Sequence, residues 1–266
     1  MNILSRSLLT LLLVTIFANI CCADTLYQRS MSIFLAKEAK AKRQDYCFVV
    51  MGDSRGGDVT FKKALKLAKS FQPLFILHGG DYSSRGGEAE TAHFLSMVRE
   101  TVPELPFFVV IGNHENRSVF TREVGPVDFT VQSSRLGLAV VAVDNAEYAL
   151  KAPELAYLRS RLATAPATRF VAMHVPPATR SWNWHVFTEG AEELKGILAS
   201  DKVQGAFFSH VHLFARADYG GVPAIITGGA GGSLVTAGFP GEPIHHIVLV
   251  HVKNGKVTME KVRLPE

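Results

Sequence analysis

Pro106-Phe107-Phe108-Val109-Val110-Ile111 runs straight into Gly112-Asn113-His114-Glu115, and the reading of this chain turns on that junction. The apolar run is too short for a buried helix and reads as a strand covered on both faces. It stops at a glycine, and the next three side chains are an amide, an imidazole and a carboxylate. The arrangement recurs. Residues 47–51 lead into Gly52-Asp53, and 74–77 into His78-Gly79-Gly80-Asp81. Residues 169–173 lead into His174, and 205–208 into Ser209-His210-Val211-His212. Helical spacing fills the intervals at 59–71 (Phe61, Leu65, Leu67, Ala68), 88–101, 153–163 and 191–199. Residues 129–132 and 136–143 read as a hairpin, with Ser133-Ser134-Arg135 as its turn. The end of the chain, 215–262, reads as strand and turn, with a glycine-rich turn at 228–232. Alternating strands and helices before a strand-rich end predict a layered α/β fold. The polar residues then collect at the C-terminal ends of the strands, where such sheets gather ligands.

The 266 residues suit one large α/β domain. A hydrophobic content of 47% with 20% charged residues supports a packed core and excludes a disordered tail. The formal charge of +4 is carried by scattered Lys and Arg, so nothing marks a nucleic-acid scaffold. The excess reads as an ordinary solvated surface, with a field that favours anionic substrates as the alternative. Residues 1–23 have the layout of a secretory signal peptide: Arg6, then an apolar run over 7–20, then Cys21 and Ala23 at the −3 and −1 positions of a cut before Asp24. The run is short for a membrane span, and bulky Ile20 before Cys21 disfavours lipidation. An uncleaved anchor and a lipoprotein stay as alternatives to a secreted or periplasmic protein, whose mature chain has no transmembrane span. Residues 24–44 form a polar lead-in with a helix around 29–41, and 45–266 form one catalytic domain. After cleavage Cys47 is the only cysteine left, so no internal disulfide is available, and it reads as a buried small hydrophobe.

Asp53, Asp81, Asn113, His114, His174, His210 and His212 are oxygen and imidazole donors suited to a borderline metal ion. No thiolate stands among them, which excludes a structural cysteine–zinc site. Taken singly, each histidine is unremarkable as a signal. Five blocks in order are not. His210-Val211-His212, read as strand, would present both rings on one face.

These blocks, Gly52-Asp53-Ser54-Arg55, Gly80-Asp81, Gly112-Asn113-His114-Glu115, Val171-Ala172-Met173-His174 and Ser209-His210-Val211-His212, resemble those of the calcineurin-like metallophosphoesterase superfamily, which includes purple acid phosphatases and phosphodiesterases. The resemblance implies a four-layer α-β-β-α sandwich with a metal site at the strand C-terminal ends. It implies that Asp81 bridges two ions, that Asn113, His174 and His210 complete one site, and that Asp53 and His212 serve the other. His114 is then the catalytic histidine that is not a ligand, and Glu115 a partner that orients a histidine. The implied activity is hydrolysis of phosphate monoesters or diesters by a metal-bound hydroxide, with Mn, Fe or Zn as cofactor. The substrate would be a phosphorylated small molecule or nucleotide-like compound, contacted by Arg55, Asn113 and His114.

Two departures stand out. Arg55 occupies the position where the family usually supplies a histidine ligand, and an arginine stays protonated. Purple acid phosphatases also lack that histidine but add a tyrosine three residues after the bridging Asp, where this chain has Ser84. One tight and one weaker metal site is therefore expected, with Arg55 facing substrate phosphate. A single metal with Arg55 as a fixed charge, and a non-catalytic secreted protein of the same fold, are the alternatives. Arg85, and Trp182 with Trp184, are further candidates for substrate contact, each equally readable as loop structure.

Overall fold

A computed structural model describes residues 24–179, 182–236, 238 and 240–266. The signal-peptide reading of 1–23, with Cys21 and Cys22, lies outside the described residues. In chain order the elements are α1 (Leu26–Glu38), β1 (Asp45–Met51), α2 (Asp58–Ser70), β2 (Ile76–His78), α3 (Glu88–Thr101), β3 (Phe107–Val109), α4 (Arg117–Glu123), β4 (Phe129–Ser133) and β5 (Leu138–Ala142). There follow α5 (Ala152–Ala163), β6 (Thr168–Ala172), α6 (Ala191–Ser200), β7 (Gly205–Phe208), β8 (Phe214–Tyr219), β9 (Val222–Thr227), β10 (His246–Lys253) and β11 (Lys256–Arg263).

The strands form two sheets, ordered β11-β10-β1-β2-β3 and β4-β5-β6-β7-β9-β8. Strand β1 shows why they stack. Its side chains alternate, so Phe48 and Val50 enter one buried cluster while Val49 and Met51 enter another. The first cluster lies between the sheets, where the Phe48 ring meets Phe170 at 5.2 Å and Phe207 at 6.0 Å between centroids. The second joins the first sheet to α2 and α3 through Phe61, Leu65 and Phe94. On the far side, α5 and α6 cover the second sheet through Leu158, Leu162, Leu194 and Ile197. The result is the expected α-β-β-α sandwich. Strands covered on both faces account for the near-continuous apolar runs in the sequence.

The lead-in contributes more than expected. Its helix begins at Leu26, three residues earlier than the spacing suggested, because Thr25 and Gln28 form a capping box. Ser30 Oγ then donates to Phe107 O at 2.8 Å and accepts from Phe107 N at 2.9 Å, so α1 closes the free edge of β3. The short helix α4 was not anticipated. Its signal was present in Asn116, whose Oδ1 accepts from the Ser118 and Val119 amides. The β4–β5 connection is 134–137 rather than 133–135, with Gly137 supplying a φ of +69°. Cys47 is half-buried rather than buried, with Sγ 3.7 Å from Phe71 O, and burial pushes its thiol pKa up. No described helix is long and apolar enough to cross a membrane.

One wedge locks the sheets together at the edge that matters. Ser209, just past β7, bonds to Thr227 O at 3.2 Å. It presses against the turns after β1 and β2, so that a Cβ on Gly79 would lie 1.9 Å from its Oγ, and one on Gly52 2.2 Å. Gly79→Ala should therefore lower stability by about 1–3 kcal/mol, and adding Ser209→Gly should restore most of it. Denaturation curves of the single and double variants read this; equal stabilities would remove the wedge as the constraint.

Candidate metal centre

The loops after β1, β2 and β3 in one sheet, and after β6 and β7 in the other, meet at one edge. They carry Asp53, Asp81, Asn113 with His114, His174, and His210 with His212.

His174 is fully buried. Its Nδ1 lies 2.7 Å from Gly79 O. A carbonyl only accepts, so the ring proton sits on Nδ1 and Nε2 turns a lone pair into the site. Around that nitrogen stand Asn113 Oδ1 at 3.0 Å, His210 Nδ1 at 3.2 Å and Asp81 Oδ1 at 3.3 Å. Asp81 Oδ1, Asn113 Oδ1 and His174 Nε2 thus converge as lone-pair atoms, and His210 Nδ1 joins them as a fourth when its ring proton sits on Nε2 towards the Tyr148 hydroxyl. Without a metal they coexist by trapping a proton. Burial works against a charged His174, but the Asp81 carboxylate outweighs it and raises the pKa to about 9. Burial, then the His174 charge, pushes His210 down to about 3. Burial likewise opposes ionised Asp81, yet the adjacent His174 and His114 hold its carboxyl well below the usual range.

A second group adjoins the first. Asp53 is fully buried, and burial pushes its pKa up. Its Oδ2 accepts from His210 N at 2.9 Å, while its Oδ1 has no hydrogen-bond partner and faces His212 Nε2 at 3.5 Å. His212 Nδ1–H donates to Ser233 O at 2.8 Å, so this imidazole too offers Nε2 inward. Burial disfavours its charge, but the adjacent Asp53 carboxylate raises its pKa overall. The donor atoms of Asp81, His174 and His210 lie within 4.8 Å of one another, as do those of Asp53, Asp81 and His212. An orphaned buried carboxylate oxygen, and imidazoles whose protons are tied to carbonyls, fit two neighbouring cations that share Asp81.

The backbone is bent to achieve this. Asp53, Asp81, Tyr148, His185 and His210 all have φ between +52° and +68°. The other positive-φ non-glycine residues among those described, Gln72, Lys202 and Asn254, lie in connections between elements. Each left-handed residue of this kind costs about 1–3 kcal/mol, which the surroundings must enforce. The sequence reading of His210-Val211-His212 as strand is corrected here. The segment is a bend after β7, and its two rings serve different donor groups. The glycine-rich turn 228–232 answers to close packing rather than to backbone freedom. Gly228 and Gly232 do not have positive φ; they are bare because a Cβ would lie 2.8 Å from Asp53 Oδ2 and 2.6 Å from His212 Cε1.

A cavity of about 350 Å³ opens above the donors, lined by Arg55, Asp81, Asn113, His114, His210 and His212 together with Tyr148, His185, Ser233 and Val235. Larger hollows near Lys37 and near Leu264, about 630 and 570 Å³, hold none of these donors. His114 Nδ1–H donates to Ser84 O at 2.9 Å, and its Nε2 stands 3.9 Å from Asp81 Oδ2. Arg55 Nε is buried without a hydrogen-bond partner, 3.8 Å from the same Asp81 oxygen. Arg85 is exposed and does not line the cavity.

Glu115 holds backbone rather than a histidine. Its carboxylate accepts from the Asp81, Gly112 and Ser83 amides at 2.9, 2.8 and 3.2 Å, and burial beside Asp81 raises its pKa to about 7. Two residues were missed. Asn145 Oδ1 accepts from His174 N and Val175 N, both at 3.0 Å. It follows β5 closely, so the rule that found the others applies to it. Tyr148, whose hydroxyl lies 2.9 Å from His210 Nε2, carries no comparable sequence signal. The two tryptophans part company: Trp182 is buried, and Trp184 is 60% exposed.

Residues 47–214, more than half of the chain, match the calcineurin-like phosphoesterase family. No curated protein matches the sequence significantly. Among solved structures the chain is similar to GAP50, the anchor in the inner membrane complex of Plasmodium, with 14% identity, a TM-score of 0.66, and 84% of this chain and 85% of that one covered. It is similar to purple acid phosphatase PPD1 from yellow lupin (Lupinus luteus) seeds, with 12% identity, a TM-score of 0.69 and 82% of this chain covered. This chain spans about half of the lupin enzyme, 51%. PhoD aligns at 9% identity with a TM-score of 0.58, over 83% of this chain and 69% of that one. At such identities the structures speak for the fold alone. The matched segment, the two stacked sheets and the donor groups at their shared edge agree, and the chain belongs to the calcineurin-like phosphoesterase family.

Proposed function

We propose that this chain is an exported, metal-dependent hydrolase of phosphate monoesters or diesters. The observation that carries the reading is the pair of donor groups sharing Asp81, with His114 Nε2 at 3.9 Å from that carboxylate. Asp81, Asn113, His174 and His210 would hold one cation tightly. Asp53, Asp81 and His212 would hold a second more weakly, beside the positive charge of Arg55. Mn, Fe and Zn all suit such oxygen and imidazole donors. When bound, these cations supply charge to the phosphoryl oxygens and acidify a water for attack at phosphorus.

The chain's own residues supply the rest. Glu115 and Asn145 fix the backbone of Asp81 and His174 before any ligand arrives. With its Nδ1–H tied to Ser84 O, His114 turns its Nε2 to the cavity, where a proton on that nitrogen would face the substrate. From there it donates to a phosphoryl oxygen and then to the departing alkoxide. The planar fork of Arg55 suits a second phosphoryl oxygen. The N-terminal signal reading places the reaction in the periplasm or outside the cell. The non-catalytic reading is an outcome of the same tests.

Purified protein should contain bound metal by elemental analysis and hydrolyse members of a monoester and diester panel supplied with Mn²⁺; Asp81→Asn should lose both. Metal-free protein that stays silent across the panel would leave the non-catalytic reading. His114→Asn should keep the metal yet lower kcat by about a hundredfold or more, and an unchanged kcat would end its catalytic role. A third expectation concerns pH. The metal-free His174 keeps its proton up to about pH 9. A cation must displace that proton below this pH, so affinity should rise as pH rises from 6 towards 9. Calorimetry in buffers of different ionisation enthalpy should register proton release on binding at pH 7; a pH-independent affinity would contradict the assignment.

A further inference from the structure

Three imidazoles of the site are tied down in the same way. The Nδ1–H groups of His114, His174 and His212 donate to the carbonyls of Ser84, Gly79 and Ser233 at 2.9, 2.7 and 2.8 Å. A carbonyl only accepts, so it fixes the tautomer and leaves Nε2 to the site. His210 is built the other way round. Its Nδ1 faces His174 Nε2 at 3.2 Å, inside the donor group. Its Nε2 hydrogen-bonds to a hydroxyl instead of a carbonyl, that of Tyr148, at 2.9 Å.

A neutral histidine that gives Nδ1 to a cation carries its proton on Nε2. That proton needs an acceptor, and the Tyr148 oxygen is the one in place. From there the oxygen cannot also reach the same cation, because it stands beyond Nε2, across the ring from Nδ1. The other imidazoles lean on fixed backbone, whereas His210 leans on a side chain.

The turn that carries Tyr148 has no other evident task at the site. It follows β5, and it contributes none of Asp53, Asp81, Asn113, His174, His210 or His212. Yet it touches both second-sheet members of the tighter donor group. Asn145 Oδ1 accepts from the His174 amide at 3.0 Å, and its Nδ2–H donates to Val175 O at 2.7 Å. The Tyr148 amide closes the turn on Asn145 O at 2.9 Å. Tyr148 itself has left-handed backbone, φ +59°, and is 38% exposed, so neither its backbone nor burial of its ring accounts for its position. Its hydroxyl bonds to His210, and its ring meets the His210 ring edge-on, 5.1 Å between centroids.

We infer that Tyr148 is a positioning residue: its hydroxyl accepts the His210 Nε2 proton and so holds Nδ1 towards the cation proposed for Asp81, Asn113, His174 and His210. The neighbouring group of Asp53, Asp81 and His212, whose imidazole is tied to Ser233 O, does not depend on it. The inference rests on the metal-binding half of the proposed function and not on turnover.

Tyr148→Phe keeps the ring and removes only the hydroxyl. Wild-type and variant proteins are titrated with Mn²⁺ by calorimetry, and their Zn²⁺-loaded forms are compared by long-range ¹H–¹⁵N spectra of the histidines. The variant should bind the tighter Mn²⁺ about tenfold more weakly, the low end for loss of a group that orients a metal-bound histidine, with the weaker binding event unchanged. In the wild type His210 should be bound through Nδ1 with a slowly exchanging proton on Nε2, and in the variant that proton should exchange faster. Equal affinities in the two proteins, a loss spread over both events, or His210 bound through Nε2 would overturn the role. A wild type that binds no cation would overturn the metal centre together with it. Selective weakening in a protein that hydrolyses nothing would uphold the positioning role and remove the enzyme reading.

Discussion

The arrangement depends on a collision of lone pairs. Around Asp81 the fold assembles carboxylate, amide and imidazole acceptors while sending the protons of His174 and His212 outward to Gly79 O and Ser233 O. Such a cluster repels itself unless something positive sits inside it. In the metal-free protein that role falls to a proton on His174, held to about pH 9 by Asp81 despite full burial. The backbone accepts strain to keep the cluster together, with left-handed conformations at Asp53, Asp81 and His210. The Ser209 wedge holds the β1 and β2 turns in place against the second sheet.

Arg55 belongs to the same electrostatic problem. It brings a permanent positive charge to within 3.8 Å of Asp81 Oδ2, at the position where the family resemblance led to the expectation of a histidine ligand. Its buried Nε makes no hydrogen bond. A neighbour that is already cationic favours anions in the cavity and disfavours a second cation, so the proposed weaker metal site and the proposed phosphate contact both turn on this one side chain.

Much of the architecture was legible before any coordinates. Apolar runs mark β1, β2, β3, β6 and β7 because those strands are covered on both faces, and helical spacing marks α2, α3, α5 and α6 because each covers one side of a sheet. The errors have local causes. The start of α1 was set by the Thr25–Gln28 capping box rather than by apolar spacing, and α4 is too short to show a period. His210-Val211-His212 was read as strand because alternation is the commonest way to align two histidines; here a left-handed residue does it instead. Glu115 and Tyr148 act through contacts between segments distant in the chain, which spacing does not encode, whereas Asn145 follows β5 as the other donors follow their strands.

The sequence by itself determined the chemistry on offer: which strands are buried, and that each ends in an oxygen or imidazole donor. This follows because burial and alternation are written residue by residue along each strand. The tertiary structure alone decided which donors meet. It put His210 with His174 and His212 with Asp53, though the two histidines are two residues apart. It buried one tryptophan and exposed the other. Those outcomes depend on how two sheets stack and where their loops cross, a matter of packing in three dimensions that no local pattern carries.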